Sequence, residues 1–337
     1  MASISKSEAS YIHTGLLSEP PLRADGRALH EFRSVSLETG VAPLANGSAH
    51  VNIGKSLHNG GGGTEVLAAA KLEVENIGSG QEGVEGGRVV CSVSCSPAAY
   101  PHVLPSALDD LQADLTTVLH QTLAHRSLHP SNLTILPGKK SWVLNLDCVV
   151  LSDAGNIYDA LFMAARAALC DCKVPRTRGV QYKAPSGLKK SGKLGDMEVD
   201  SAPESGFDTR SMARDVDFEL VDTWDEGEQL DGQNRWPVSV TLNVPTPTSV
   251  HYLDAALQEE AATPMRLLLA FSFQSATPPN LHAMRTLGTG ELELEQLRAL
   301  IAIGEKHAKK LWDALNGKLK EENIRRGEKA RANFARR

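Results

Sequence analysis

Hydrophobic and polar residues alternate with a period of two over several stretches of the first half of the chain. Ala49, Val51 and Ile53 are spaced by polar neighbours; Val66, Ala68, Ala70, Leu72 and Val74 continue the pattern between Glu65 and Glu75. Val89, Cys91, Val93 and Cys95 repeat it between Arg88 and Ser96, and a shorter run begins over Ser36 to Thr39. Alternate side chains of an extended chain share one face, so these runs predict four strands. The sequence NGGGG, Asn59 to Gly63, falls between two of them, where a flexible hairpin connection is expected. Leu133 to Leu136 and the nearly continuous apolar stretch Trp142 to Leu151 predict two further strands.

Helical spacing appears elsewhere. Leu108, Leu111, Leu115, Val118, Leu119 and Leu123 recur at steps of three and four behind a Pro105-Ser106 start. Asn156 to Leu169 predicts a helix of small residues (Ala160, Ala164, Ala165, Ala167, Ala168), able to approach a sheet closely. Residues 1–20 include a short helical stretch opened by Ser5 and Ser7, and PLRADGR at 21–27 is turn-rich. From 183 to 234 the chain turns polar and Gly-rich, predicting a partly disordered insertion within one fold. Trp236 to Val244 is again a strand, and His251 to Asp254 and Met265 to Gln274 are expected to continue its sheet. A long helix is predicted from about Glu291 to Asn316, carrying Leu294, Leu297, Ile301, Ala308, Leu311, Trp312 and Leu315. The basic tail that follows is expected to fray into solvent. The divisions are thus an N-terminal extension (1–22), a first folded part (23–182), the insertion (183–234), a second folded part (235–318) and the tail (319–337). Strands and helices in this order predict an α+β fold with helices packed on a mixed sheet, not a Rossmann alternation.

Composition narrows the function classes. Of 337 residues, 41% are hydrophobic but only 5% aromatic, so small aliphatic side chains do most of the packing. The formal net charge of -6 argues against a stand-alone nucleic-acid binder, whose affinity comes mostly from phosphate neutralisation. It leaves room for a subunit that lends a few cations to a shared channel. No apolar run approaches 18 residues and MASISKSEAS lacks the apolar core of a secretory signal, so neither a membrane span nor export is expected. Cys91, Cys95, Cys148, Cys170 and Cys172 are an odd set, read as reduced thiols; no second pair with zinc-ribbon spacing accompanies them, so no metal site is expected.

The remaining candidate chemistry is sparse. Gly60 to Gly63 lacks the Gly-Lys-Ser/Thr ending of a phosphate loop and leads into no helix. His120 and His125 have no Cys or Glu partner at ligand spacing and are expected to be solvated or capping residues. The acidic run Asp215 to Glu228 reads as a solvated loop rather than a catalytic carboxylate pair. Lys189, Lys190 and Lys193 are open to two readings, contact with RNA or a partner, or a mobile solubilising loop.

RADGRALHEFRSVSLETG (Arg23 to Gly40) resembles the opening signature of the RNase PH family, an Arg-x-Asp-Gly-Arg turn. NGSAHVNIG (Asn46 to Gly54), GTEVLAAAKLEV (Gly63 to Val74), KKSWVLNLDCVVLSDAGN (Lys139 to Asn156) and VHYLDAALQEE (Val250 to Glu260) follow in family order. Within the family the chain most resembles the non-catalytic ring subunit of the eukaryotic RNA exosome core that is related to the inactive RNase PH-like subunit of archaeal exosomes. The resemblance implies an RNase PH-like fold of the ribosomal protein S5 domain 2-like kind, in two layers. It also implies a six-membered ring of RNase PH-like subunits capped by S1/KH-domain proteins, with exosome-associated nucleases and single-stranded RNA in its channel. The role that goes with this is rRNA maturation, mRNA decay and RNA surveillance in nucleus, nucleolus and cytoplasm, with no membrane and no cofactor.

Active relatives hold inorganic phosphate with an arginine at the start of the small-residue helix, where the helix N-terminus adds its own field. The resemblance puts Ile157 at that arginine, with Asp159 nearby to repel an anion. Each lost charge-assisted bond costs on the order of 1.5–3 kcal/mol. The family's acid aligns with Arg235 or Trp236, and Asp231 is four to five residues off. No catalytic residue is therefore expected. Arg23 and Arg27 are open to either RNA contact or subunit packing, and RNA-binding residues stay unassigned. Two alternatives are an active phosphate-dependent 3′→5′ exoribonuclease and a scaffold outside RNA metabolism.

Overall fold

The structure, a computed structural model, describes residues 4–54, 62–77, 86–180, 217–221, 227–245, 250–274 and 278–335. Helix α1 (Lys6–Leu17) opens with a capping box: the Ser5 hydroxyl accepts from Glu8 N, and the Glu8 carboxylate accepts from Ser5 N. Strands β1 (Val35–Thr39), β2 (Gly47–Ile53), β3 (Thr64–Asn76), β4 (Arg88–Cys95), β5 (Thr134–Leu136) and β6 (Lys140–Ser152) build one sheet, in the order β1-β2-β3-β6-β4 with β5 also on β6. Every pairing is antiparallel except β4–β6, which is parallel and is connected through helix α2 (Pro105–Leu123), packed on β4. Strands β2 and β3 pair antiparallel from Ile53 opposite Thr64, as a hairpin requires, although residues 55–61 of the glycine segment lie outside the described residues.

Helix α3 (Ile157–Asp171) follows β6 and is the centre of the molecule. Thirteen of its fifteen residues are buried, because it packs on β2 and β3 on one side and on a second sheet on the other. A helix apolar all round needs such a position, and its alanines let both sheets come close. At Gly47 an added Cβ would lie 2.5 Å from the Ala168 carbonyl oxygen, so only glycine admits this approach of β2 to α3.

Short strands β7 (Lys173–Val174) and β8 (Thr177–Val180) leave α3; β9 (Asp217–Leu220) pairs with β8, and β10 (Glu228–Gln229) pairs with β7. Within the segment read as a partly disordered insertion, residues 217–221 and 227–234 are described and ordered, with Leu230 in the core. Residues 181–216 and 222–226, with Lys189, Lys190 and Lys193, lie outside the described residues. Strands β11 (Val238–Val244), β12 (Met265–Ser272) and β13 (Asn280–Gly288) form the second, antiparallel sheet. Strand β13 was not expected: as an edge strand it exposes one face and carries little apolar patterning.

His251 to Asp254 is no strand. One bridge joins Tyr252 to Asn243, and the chain then turns at Asp254 (φ 48°) into helix α4 (Leu257–Ala262), which packs against α1. Helix α5 (Leu294–Ala335) covers β11, β12 and β1. It also corrects the fraying tail. Leu311, Leu315 and Leu319 carry the apolar stripe past residue 316, Glu322 is buried, and Arg326 donates to Thr39 and Asp171. Arg326 thus ties the tail to β1 and to the end of α3, while Lys320, Arg325, Lys329 and Arg331 are exposed on the helix. Among the described residues no helix is long and apolar enough to cross a membrane. All five cysteines are unpaired; burial pushes the thiols of Cys91 and Cys172 up to about 12 and that of Cys95 to about 11, which suppresses their thiolates.

Candidate functional site

The family-like segments, far apart in sequence, converge on the N-terminus of α3. The turn Asp153-Ala154-Gly155-Asn156 delivers β6 into the helix. Gly155 has φ 95°, and a Cβ there would lie 2.5 Å from the Ala255 carbonyl oxygen. Thr64, at the start of β3, bridges this turn: its hydroxyl accepts from Ala154 N (3.0 Å) and donates to Gly155 O (2.5 Å). Arg33 donates to the carbonyls of Ala154 and Gly155 at 2.9 and 3.0 Å.

Asp254 is the hub. Its buried carboxylate accepts from Arg33 N (2.7 Å), Arg33 Nε (2.9 Å), Arg33 Nη2 (2.8 Å), Arg27 Nη1 (2.9 Å) and Asn156 Nδ2 (3.0 Å). Burial alone would raise this carboxyl, but the Arg33 hydrogen bonds and the charges of Arg33 and Arg27 outweigh it and hold it below its ordinary value. Arg23 is buried beside it. It donates to Glu259 at 2.9 and 2.6 Å and to the carbonyls of Leu253 and Asp254 at 3.0 and 2.8 Å. Both guanidinium groups make their hydrogen bonds within the chain, Arg27 also to Asp25 and the Glu31 carbonyl.

The helix terminus itself is occupied by a carboxylate of the same chain. Asn156 N donates to Glu260 Oε1 at 2.8 Å, and Glu260 is paired with Arg266 at 3.0 Å. Burial pushes the Glu260 carboxyl up, with Arg266 and the Asn156 amide pulling the other way. A helix N-terminus favours an anion through its exposed amides and dipole; here that anion is Glu260. Ile157 sits next to it at 6% exposure, its side chain in the core.

Asp159 requires a correction. It does not face an incoming anion but points into the core, accepting from Ser239 Oγ (2.9 Å), Thr241 Oγ1 (3.0 Å) and Thr241 N (3.2 Å), and so ties α3 to β11. Burial pushes its carboxyl from the usual 3.8 up to about 7, against the pull of those donors. The folded protein therefore binds this proton more tightly than the unfolded chain. The associated stability is complete below about pH 4 and lost as pH rises through about 7, with a limiting slope of about 1.4 kcal/mol per pH unit. Asp159→Asn keeps an acceptor for the hydroxyls and removes the titration. Urea midpoints between pH 4 and 8 are expected to vary less in the variant than in the parent, and an unchanged pH dependence would sink this assignment.

The other predicted positions do not join the cluster. The Trp236 carbonyl accepts from Arg166, more than two turns further along α3 than Ile157. Asp231 is exposed and closes a loop, accepting from Ser131 Oγ while its own amide donates to Asn132 Oδ1. Of the acidic run, Asp217, Glu219 and Glu228 pair with Lys140, Arg178 and Arg176. His125 caps the turn at Arg126–Leu128 as expected, whereas His120 is no cap: from within α2 its Nδ1 accepts from Cys91 N of β4. Sequence reasoning missed the position of Glu260. It also missed His30, His251 and His307, whose rings meet with centroids 4.6–5.9 Å apart. Burial pushes His307 down to about 4, with His30, His251 and Lys310 adding to the effect. No local spacing signals such a trio.

Two sheets clasping a buried small-residue helix, with the motif arginines gathered at its start, define an RNase PH-like fold. Residues 31–175 match the 3′ exoribonuclease family, domain 1, so the chain carries an RNase PH family domain. Among similar proteins, the exosome complex component Rrp42 of Methanothermobacter thermautotrophicus is 32% identical over 154 residues, 45% of this chain and 53% of that protein. A Dictyostelium discoideum protein described as an exosome complex exonuclease, RRP42, is 29% identical over 227 residues, 54% of this chain and 67% of that protein. The chain thus spans about half to two thirds of the length of the curated relatives it matches. In three dimensions it resembles a chain of the Archaeoglobus fulgidus exosome with RNA bound to the active site. The TM-score is 0.62 at 22% identity, covering 91% of this chain and 97% of that one, and this likeness shows the fold.

Proposed function

We propose that this chain is a non-catalytic structural subunit of an RNA exosome core ring. It would help form the channel through which single-stranded RNA passes during 3′→5′ processing and degradation. Its partners are other RNase PH-like subunits in a six-membered ring, S1/KH-domain cap subunits and exosome-associated nucleases. Its sites of action are the nucleus, nucleolus and cytoplasm, in rRNA maturation, mRNA decay and RNA surveillance. The exosome names of its relatives and the fold shared with an exosome core support the ring role.

The observation that carries the non-catalytic part is the start of α3. Glu260 holds the Asn156 amide, and the neighbouring position is Ile157, where active relatives are expected to carry a phosphate-binding arginine. A phosphate there would meet the Glu260 carboxylate, which already holds Arg266, and would find Ile157 in place of an arginine on the helix itself. Purified protein incubated with oligo(A) and inorganic phosphate is expected to release no nucleoside diphosphate. Phosphate-dependent release that disappears in Asp231→Ala would contradict the reading and establish the enzyme instead.

A further inference from the structure

Three histidines from distant parts of the chain share one patch. We propose that His30, His251 and His307 form a binding site for one divalent transition-metal ion of the zinc type, independent of the ring role. One ligand atom of each ring lies within 4.8 Å of those of the other two. The His30 and His251 rings are stacked with centroids 4.6 Å apart, and His307 lies 4.9 and 5.9 Å from them. Tetrahedral zinc, with Zn–N of about 2.0–2.1 Å, sets ligand nitrogens about 3.3 Å apart. Closing the trio onto an ion therefore takes an adjustment of about 1.5 Å at most, within reach of side-chain torsions, and His30 is exposed and able to swing.

The backbone beneath the trio is fixed. Leu253 N donates to Leu29 O at 2.9 Å, which sets the His30 turn beside the His251 segment. Tyr252 and Asn243 exchange both backbone hydrogen bonds at 3.0 Å, which anchors that segment to β11. Helix α5, carrying His307, packs on the same strand. The donor set is imidazole alone, without carboxylate or thiolate, a set that suits zinc, copper or nickel rather than calcium or magnesium. Three protein ligands leave the fourth position to water. A bound ion would staple the N-terminal segment, the β11 bridge and the C-terminal helix to one another.

The test uses the full chain, stripped with chelator, titrated with Zn2+ by calorimetry and with Co2+ by visible absorption. One equivalent of Zn2+ is expected, with a rise in thermal midpoint and a tetrahedral Co2+ spectrum. His30→Ala, which removes an exposed side chain and leaves the core intact, and His307→Ala are each expected to weaken binding by more than ~10-fold, since loss even of a ligand's supporting partner costs that much. His102→Ala, exposed and outside the trio, leaves it unchanged. Absence of one-equivalent binding, or binding equally tight in His30→Ala and the parent, overturns the site.

Discussion

Asp254→Ala is expected to lower the unfolding free energy by about 3–5 kcal/mol, the range for removing one partner of a buried charge network. The Asp254 side chain is fully buried and the two arginines it serves are 11% and 12% exposed, so water cannot replace it. Without it Arg33 loses its carboxylate partner, Arg27 is left with Asp25, and Asn156 Nδ2 loses its acceptor. Alanine must also adopt φ 48°, a left-handed conformation that costs about 1–2 kcal/mol for most residues. Asp254→Asn separates these contributions. It tolerates the backbone and keeps one oxygen, so its loss is expected nearer about 1–3 kcal/mol. Urea unfolding followed by circular dichroism measures both. A loss below about 1 kcal/mol for the alanine variant would mean that the arginine cluster is not structural.

Gly155→Ala is the second large effect, about 2–5 kcal/mol from backbone strain and overpacking together. Its φ of 95° already disfavours a side chain. The new Cβ would meet Ala255 O at 2.5 Å and Leu257 N at 2.7 Å, both backbone atoms of the segment that carries Glu260. Relief requires that segment to move off the helix terminus. Gly138→Ala is the control: φ is 69°, but nothing lies within 4 Å of its Cβ. It is expected to cost only the backbone penalty, about 1–2 kcal/mol. Equal losses at the two glycines would deny that the α3 turn and the Ala255 segment are packed as described.

Periodicity made the first sheet and the central helices legible, because residues such as Val66, Ala68 and Ala70 alternate where one face is buried. Strand β13 escaped because an edge strand needs little apolar patterning, and the helical tail escaped because its charges read as solvation until Asp171 supplied a partner for Arg326. Asp159 shows a different limit. An acidic residue at a helix start suggests electrostatics at the surface, whereas the Ser239 and Thr241 donors that hold it lie eighty residues away. The motif segments identified the site, but not its direction. That Glu260 turns onto the Asn156 amide, and that Arg23 and Arg27 turn inward, depends on the fold of Leu253 to Glu260 over α3.

The measurement that bears most directly on the ring-subunit reading is affinity purification of the tagged full chain, followed by mass spectrometry of what accompanies it. The account predicts recovery of other RNase PH-like subunits together with S1/KH-domain cap proteins, in near-equal amounts. A chain that purifies without them, from cells in which those subunits are abundant, would contradict it.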